Sequence, residues 1–416
     1  MREDHLESVC LDWLTELGWT RAHGDEISPG GSQCDRTKYS DVVLTSRLRD
    51  ATRRLNPELT ATEVHEVVDK LSGYGAQSLV DGNKEIYDWL RNGVPVQRIE
   101  PDGRRTVLRA RVIDVSGSND LLAVQQFTVQ GLKVRRPDIV LFVNGLPLVV
   151  IELKNPADIN ADTESAWNQI QTYKADIPQL FYFNLLNVIS DGTVARYGSL
   201  SADFGRYSPW RLIAGEKVAK GRLELEVLIR GLLEPKTLLP FFHSFVAFGG
   251  SDGGASFKII AQWHQYHGVL KAVARAVEAL VQRKDGKGGV IWFTQGSGKS
   301  LLALFYVMAL RDRPEFQNPT VVLVTDRNDL DGQLFETFAD CSWSLRATPE
   351  QADSRDDLRD KLSGVQAGGV FFTTINKFAP GAGATAAPIL CARSNVIVIA
   401  DEAHRTQYGF KADLDT

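Results

Sequence analysis

The sequence predicts an α/β protein with two successive domains, and three features carry this prediction. Its 416 residues suit two or three domains of ordinary size. Segment 105–153 is strand-rich and is followed by a helical pattern at 160–176, whereas beyond residue 256 helices alternate with apolar runs such as VVLVT and VIVIA. Such runs are typical of strands buried in a parallel sheet. Between the two regions, the glycine-rich stretch AFGGSDGGAS at 247–256 predicts a linker, with domains at 1–246 and 247–416.

Hydrophobic periodicity predicts the individual elements in chain order. Residues 4–17 carry apolar side chains at helical spacing and are followed by Gly18, which predicts an amphipathic helix and its end. The other elements expected in the first domain are helices at 58–71, 83–91 and 160–176, strands within 105–153, and a strand at 181–190 before an Asp-Gly turn. In the second domain we expect helices at 261–282 and 300–312, and strands at 288–293, 320–325, 369–373 and 395–400.

Composition excludes several classes of protein. The chain has no run of about 18 apolar residues, so we expect no membrane span. Its acidic N-terminus, MREDHLESVC, does not resemble a signal peptide. The four cysteines are far apart and form no CxxC pair, which argues against a zinc site or disulfides and indicates a reduced cytoplasmic location. A net charge of -5 gives no overall basic footprint for nucleic acid, although a local basic groove would still allow DNA binding.

One hairpin-like stretch, RRPDIVLFVNGLPLVVIELKNP at 135–156, carries charges that a buried strand does not need. Glu152 and Lys154 are two residues apart, so on a strand they share a face. Two carboxylates with a lysine are what Mg²⁺-dependent phosphodiester cleavage requires. Asp138 and Glu152 would ligate the cation, and Lys154 would position water and stabilise the developing charge. The alternative is an ordinary hairpin with charged ends.

The register of this hairpin separates the two interpretations. A two-residue loop at Asn144-Gly145 with regular pairing would place Asp138 opposite Ile151, on the other face from Glu152. A three-residue loop with Gly145 in a left-handed conformation, or a bulge, shifts the register by one and places Asp138 opposite Glu152. The metal-site interpretation therefore predicts an odd loop or a bulge, and the ordinary hairpin predicts a plain two-residue turn.

Two neighbouring features favour the metal site. Arg135 and Arg136 precede Asp138 and would be available to a phosphate. On the helix predicted to follow, Gln169 and Tyr173 in NQIQTYK are four residues apart and therefore share a face. The alternative for this pair is a polar helix face with a core tyrosine.

A phosphate-binding loop is predicted at TQGSGKS, between an apolar run and a helix. Its glycines let the backbone turn tightly, so that several N–H groups face an anion at the helix N-terminus. Lys299 would reach the β- and γ-phosphates of ATP, and the Ser300 hydroxyl would ligate Mg²⁺. The usual pattern has glycine where this sequence has Phe293. The predicted ATP-binding residues of the loop are Thr294, Gln295, Gly296, Ser297, Gly298, Lys299 and Ser300.

A second motif, in VIVIADEAHRTQYG, places charged residues directly after an apolar strand. Asp401 would hold Mg²⁺ through water, and Glu402 would polarise the water that attacks the γ-phosphate. His404 would couple the nucleotide state to the rest of the motor. The alternative is a plain helix start, which rarely follows a phosphate loop at this distance.

These motifs resemble known families. The order phosphate loop, VVLVTDRNDLDGQL, GGVFFTTINKF, DEAH resembles the first motor lobe of superfamily 2 helicases and translocases. This resemblance implies that Gln265 reads the adenine edge, where the alternative is a helix-surface residue, and that segments 326–333 and 373–377 meet the DNA backbone. The PD-(D/E)xK pattern followed by QxxxY resembles RecB-like nuclease domains. The expected fold is therefore a restriction-endonuclease-like α/β domain followed by a RecA-like parallel-sheet ATPase domain.

The two modules in this order resemble the restriction, or motor, subunit of type I restriction–modification enzymes, over about residues 5–410. The resemblance implies cleavage of duplex DNA with ATP-driven translocation, and Mg²⁺ and ATP as cofactors. It also implies modification (methyltransferase) and specificity subunits as partners, which would bring the S-adenosylmethionine requirement. Glu7 on the first helix would match an acidic residue of the nuclease core, or would be an ordinary polar helix residue.

Two other functions are open alternatives. One is a repair-type helicase–nuclease, and the other is a regulatory DNA- or nucleotide-binding module with an inactive nuclease. No motif of a second RecA-like lobe is found after Asp401. We therefore expect an N-terminal fragment that does not translocate by itself.

Overall fold

The computed structural model describes residues 3–154, 162–213, 219–250, 254–294, 296–325, 328–378 and 389–401. The described chain packs into two compact units. The first comprises the described residues within Met1–Val246 and Phe257–Trp263, and the second those within Ala247–Ser256 and His264–Thr416. No described helix is long and apolar enough to cross a bilayer.

The first unit alternates helices and strands in an irregular order. Its helices are α1 Glu3–Glu16, α2 Gly24–Ile27, α3 Thr45–Leu55, α4 Ala61–Ser72, α5 Leu79–Asn92, α6 Thr163–Asp176, α7 Glu224–Leu232 and α8 Pro235–Ser244. Its strands are β1 Thr20–His23, β2 Val94–Ile99, β3 Arg105–Ala110, β4 Leu121–Gln125, β5 Val129–Gln130, β6 Val134–Arg135, β7 Ile139–Val143, β8 Leu146–Leu153, β9 Leu186–Ser190 and β10 Ala195–Gly198. Strand β12 Phe257–Ile260 also belongs to this unit, whereas β11 Val246–Gly249 has its first residue in the first unit and the others in the second.

A six-stranded mixed sheet forms the core of the first unit, in the order β1-β4-β7-β8-β9-β10. Strands β7 and β8 lie in its middle, and every one of their residues is buried. This explains their continuous apolar sequence, since a central strand is covered on both faces. Helix α6 packs against β8 and β9. It begins at Asp162, whose Oδ1 accepts a hydrogen bond of 2.8 Å from the Ser165 N–H.

The second unit is built on a four-stranded parallel sheet in the order β14-β15-β13-β16. Its elements are α9 Trp263–Val277, α10 Lys299–Arg311, β13 Thr320–Thr325, α11 Asn328–Asp340, α12 Ser342–Leu345, β14 Pro349–Gln351, α13 Arg355–Gly364, β15 Val370–Thr374 and β16 Val396–Ala400. A short π-helical turn, Glu278–Arg283, extends α9. The predicted α/β class and the parallel sheet are confirmed.

Three predictions of elements are wrong. Residues 288–293 form no strand, and Val290 and Trp292 in this run are more than nine-tenths exposed. The run is apolar enough for a strand, but a strand also needs a partner for its backbone groups, and no described segment pairs with it. Residues Pro178–Phe183 form a 3₁₀ helix, so the predicted strand at 181–190 begins only at Leu186. Residues 247–249, predicted as linker, belong to β11.

Candidate functional site

The hairpin of β7 and β8 has a two-residue turn and a bulge. Asn144 and Gly145 both have left-handed backbones, with φ of 53° and 80°, so the turn is of type I′. The alternative of a three-residue loop is therefore wrong. Pairing starts with Val143 opposite Leu146, but the register shifts between Leu141 and Phe142, and from there Ile139 pairs with Ile151.

The extra residue of the bulge is Leu148, which follows Pro147. Proline has no N–H for the ladder and is found in sheets at such irregular positions. The Leu148 carbonyl instead accepts a hydrogen bond of 2.6 Å from the N–H of Leu185. The shifted register places Asp138, which precedes β7, opposite Glu152, as the metal-site interpretation requires.

Asp138, Glu152 and Lys154 meet at this end of the hairpin. Asp138 Oδ2 accepts a hydrogen bond of 2.7 Å from the backbone N–H of Leu153. Lys154 Nζ donates to Glu152 Oε1 at 2.7 Å. Asp138 and Glu152 are only 6% and 2% exposed, so two acidic groups share one buried location.

Burial shapes the protonation of this pair. Burial first, and then the neighbouring Glu152 carboxylate, raise the pKa of Asp138 to about 8, although the Leu153 N–H opposes the shift. Two buried carboxylates cannot both be charged at low cost unless a cation lies beside them. The Lys154 ammonium offsets the charge of Glu152, and a proton or a bound cation would offset that of Asp138.

A polar cavity of about 720 Å³ opens over these side chains. Its lining contains all of the residues that the nuclease motifs placed together: Arg135, Arg136, Asp138, Glu152, Lys154 and the Gln169–Tyr173 pair. It also contains Glu7, His23, Gln125 and Gln126. Glu7 is 2% exposed and accepts hydrogen bonds from both glutamines, so it is not an ordinary polar helix residue.

Sequence reasoning missed His23, Gln125 and Gln126. Parallel pairing of β1 with β4 places His23 beside Gln125. The only signal in the sequence is the polar pair Gln-Gln at the end of the apolar run LLAV. Such a pair, directly after a core strand, could have suggested a site at that end of the sheet.

Helix α6 contributes Gln169 and Tyr173 to the cavity, as the spacing predicted. The Tyr173 hydroxyl accepts a hydrogen bond from Gln169, and its one proton is shared between two acceptors, the Glu152 carboxylate and the Arg136 carbonyl at 3.4 Å. Burial and the nearby carboxylates raise the pKa of Tyr173, so the phenol remains a hydrogen-bond donor. Tyr173 is thus a buried residue that also faces the site.

Of the two arginines before Asp138, Arg135 differs from expectation and Arg136 does not. The Arg135 guanidinium is held by Asp176 Oδ2, with Nε at 2.7 Å, so Arg135 is not freely available to a phosphate. Asp176 is the last residue of α6, and the pair ties that helix to β6. Arg136 is exposed and makes no ion pair within the described residues, so it remains the candidate for a phosphate contact.

The donor set fits a hard divalent cation. Asp138 and Glu152 supply carboxylate oxygens, the ligands that Mg²⁺ prefers, and Mg²⁺ commonly uses only one or two carboxylates together with water and substrate phosphate. No three described His, Cys, Asp or Glu side chains are arranged to hold a metal ion. A cation at this pair would therefore complete its coordination with water or phosphate oxygens.

The phosphate loop lies at the start of α10. Gly296 and Gly298 have positive φ of 77° and 76°, and α10 begins at Lys299 without a side-chain cap. The Ser297 N–H and hydroxyl both donate to the Thr294 carbonyl, at 3.3 and 2.7 Å, which closes the turn. The N-terminus of α10 thus has the backbone form that binds anions. Gln295 lies outside the described residues.

Gln265 on α9 is not a helix-surface residue. It is 2% exposed, and its Nε2 donates to the Gly298 carbonyl at 3.1 Å. The neighbouring His264 Nε2 lies 3.0 Å from the Ser297 carbonyl. Helix α9 therefore supports the phosphate loop through two consecutive side chains.

Asp401 follows β16, and its N–H donates to the Val324 carbonyl at 2.8 Å. Its position at the carboxyl end of a parallel strand is the one at which such sheets bind ligands. Glu402 and His404 lie outside the described residues. Of the segments expected near the DNA backbone, 326–333 is described only from Asn328, and Thr373 is buried at the end of β15.

Known proteins match both parts of the chain. Residues 1–206 match the family described as type I restriction enzyme R protein N terminus, and residues 264–415 match the SWI2/SNF2 ATPase family. The type I restriction enzyme HindI endonuclease subunit of Haemophilus influenzae is 44% identical over the whole chain, and the putative MjaIXP endonuclease subunit of Methanocaldococcus jannaschii is 30% identical over 98% of it. The SauCOLORF180P endonuclease subunit of Staphylococcus aureus is 26% identical over 97% of the chain.

The chain spans about 40% of the length of each of these relatives. The family matches follow the predicted order, with the nuclease-like part first and the ATPase part second. This chain belongs to the family of type I restriction enzyme R proteins.

Proposed function

We propose that this chain carries the DNA-cleaving site and the ATP-binding lobe of a type I restriction endonuclease. The nuclease would occupy residues 1–246 and the first RecA-like lobe residues 247–416. One observation carries the nuclease assignment: the bulge at Leu148 brings Asp138 opposite Glu152, with Lys154 hydrogen-bonded to Glu152 at 2.7 Å.

The side chains of the cavity would divide the work of phosphodiester hydrolysis. Asp138 and Glu152 would hold Mg²⁺, which when bound supplies a Lewis acid and an activated water. Lys154 would hold its ammonium group beside the scissile phosphate and stabilise the charge that develops there. Gln169 and Tyr173 would fix the Glu152 carboxylate, and the exposed Arg136 would contact the DNA backbone.

The second unit would bind Mg²⁺-ATP through the phosphate loop. Backbone N–H groups from 294 to 300 would surround the phosphates, Lys299 would pair with the β- and γ-phosphates, and Ser300 with Asp401 would hold Mg²⁺. Glu402 would activate water, and His404 would couple hydrolysis to movement. Gln265 would support the loop and reach the adenine. Translocation along duplex DNA is proposed for the whole enzyme.

The proposed partners are duplex DNA and the modification and specificity subunits. Such a complex would take its sequence recognition and its S-adenosylmethionine dependence from those subunits. This proposal rests on relatives named as endonuclease subunits of type I restriction enzymes.

A plasmid-nicking assay with a matched control tests the nuclease site. The Glu152–Lys154 pair has a surface counterpart in Glu66–Lys70 on α4, whose Nζ–Oε1 distance is also 2.7 Å. We expect Mg²⁺-dependent nicking to fall at least about 100-fold in Glu152→Ala and to be unchanged in Glu66→Ala. Nicking that survives Glu152→Ala would refute the assignment. An absence of nicking in the unsubstituted chain, with Mg²⁺ bound, would favour a regulatory module.

A further inference from the structure

Gln125 and Gln126 both face the nuclease cavity although they are consecutive residues at the end of a strand. In regular β-structure, neighbouring side chains point to opposite faces. The exception arises because Gln126 has a left-handed backbone, with φ of 56°. A residue other than glycine adopts this conformation at an energetic cost, and such costs are concentrated at functional sites.

The side chain of Gln126 lies between two acidic groups. Its Nε2 donates to Glu7 Oε1 at 2.8 Å and lies 3.5 Å from Asp138 Oδ1. An amide NH₂ has two donors, so one group can serve both carboxylates. The Gln125 amide, unlike that of Gln126, contacts only one of these two carboxylates: its Nε2 donates to Glu7 Oε2 at 2.9 Å and not to Asp138.

The backbone of Gln126 is fixed from two sides. Its N–H donates to the Asp138 carbonyl at 2.8 Å, and the next N–H, of Phe127, donates to the Pro137 carbonyl at 3.2 Å. On the other side lies Gly24, where an added Cβ would stand 2.1 Å from the Gln126 carbonyl oxygen. The segment is therefore built to keep Gln126 in its left-handed form.

We infer that Gln126 is a positioning residue of the nuclease site: its amide bridges Glu7 and Asp138 and holds Asp138 oriented for the cation. The inference rests on the proposed nuclease function. Without the bridge, Asp138 Oδ1 would lose the Gln126 amide, while Oδ2 would keep the hydrogen bond from the Leu153 N–H. Loss of a partner that orients a metal ligand weakens metal binding by about 10- to 100-fold.

Direct Mn²⁺ binding to the 416-residue chain, measured by calorimetry without DNA, tests this role. The informative variant is Gln126→Gly, because glycine accepts positive φ and removes the amide without straining the backbone. We expect this variant to remain folded, because the relieved strain offsets part of the lost hydrogen bond to Glu7, and its Mn²⁺ affinity to fall about tenfold. Gln126→Ala should lose the same affinity but be less stable than Gln126→Gly, because alanine retains the strain that glycine relieves.

Gln125→Ala is the matched control, since the Gln125 amide donates to Glu7 and not to Asp138. We expect it to weaken Mn²⁺ binding less than Gln126→Gly does. Unchanged Mn²⁺ affinity in folded Gln126→Gly, or equal losses in the two variants, would overturn the inference. Failure of the nuclease proposal would look different: Glu152→Ala would then bind Mn²⁺ like the unsubstituted chain.

Discussion

The buried carboxyl of Asp138 gives a sharp test of the site's electrostatics through Asp138→Asn. A pKa of about 8 in the folded chain lies above the value of about 4 expected in the unfolded chain, so the folded state binds more protons between these pH values. The contribution of the Asp138 carboxyl to stability is therefore greatest below about pH 4 and is lost as the pH rises through about 8. The full penalty at about pH 8 would be at most about 5 kcal/mol.

Water in the open cavity reduces that penalty, and we expect about 2–3 kcal/mol to remain. Asparagine keeps an oxygen to accept the Leu153 N–H but carries no charge. Asp138→Asn should therefore stabilise the metal-free first unit by about 2–3 kcal/mol at about pH 8 and hardly at all at about pH 4.5.

Hydrogen exchange of the β7 and β8 amides, in EDTA, measures this free energy locally at each pH. Added Mg²⁺ should slow exchange in the unsubstituted chain and leave Asp138→Asn unchanged, because ligand binding stabilises only the state that binds. The assigned electrostatics would be refuted if the two proteins had equal exchange free energies at about pH 8. They would also be refuted if the advantage of Asp138→Asn over the unsubstituted chain did not grow from about pH 4.5 to about pH 8.

Three further predictions concern the turn, the arginines and the phosphate loop. Asn144→Ala should lower the free energy of unfolding in urea by about 3 kcal/mol, because the Asn144 side chain makes buried hydrogen bonds of 2.7–2.8 Å and its backbone is left-handed. Asn144→Gly, which accepts that backbone, should cost about 1 kcal/mol less, and equal losses in the two variants would argue against backbone strain. Arg135→Ala should lower the free energy of unfolding by about 1 kcal/mol through loss of its pair with Asp176. Arg136→Ala should weaken DNA binding and reduce the slope of log affinity against log salt concentration by about one, and finding the DNA-binding loss in Arg135→Ala instead would contradict the geometry. Lys299→Ala should weaken binding of a fluorescent ATP analogue at least about tenfold, and unchanged affinity would remove the phosphate loop from the proposal.

Local sequence patterns predicted the central strands and helices because hydrophobic periodicity within one segment is enough to indicate such an element. The apolar runs of β7, β8, β13 and β16 and the helical spacing of α6 and α10 reappear with ends close to those expected. The register of the β7–β8 hairpin, by contrast, could not be predicted from local sequence. A Pro-Leu pair permits a bulge but does not require one, and the shift depends on pairing across the sheet.

Residues that face the site from distant segments could not be placed from the sequence. His23 reaches the cavity only because β1 pairs with β4, about 100 residues later in the chain. The left-handed backbone of Gln126 reverses the ordinary alternation of a strand, so a pattern of period two would turn its side chain away. The strand expected at 288–293 does not form, because an apolar run by itself does not specify a strand with which to pair.

The anomalous scattering of Mn²⁺ in crystals of the chain tests directly whether Asp138 and Glu152 hold a metal ion. We expect one Mn²⁺ peak within about 2–2.5 Å of carboxylate oxygens from both Asp138 and Glu152, with Lys154 beside it. A chain that binds Mn²⁺ elsewhere, with Asp138 and Glu152 unliganded at saturating Mn²⁺, would contradict the claim that the bulged hairpin builds a nuclease metal site.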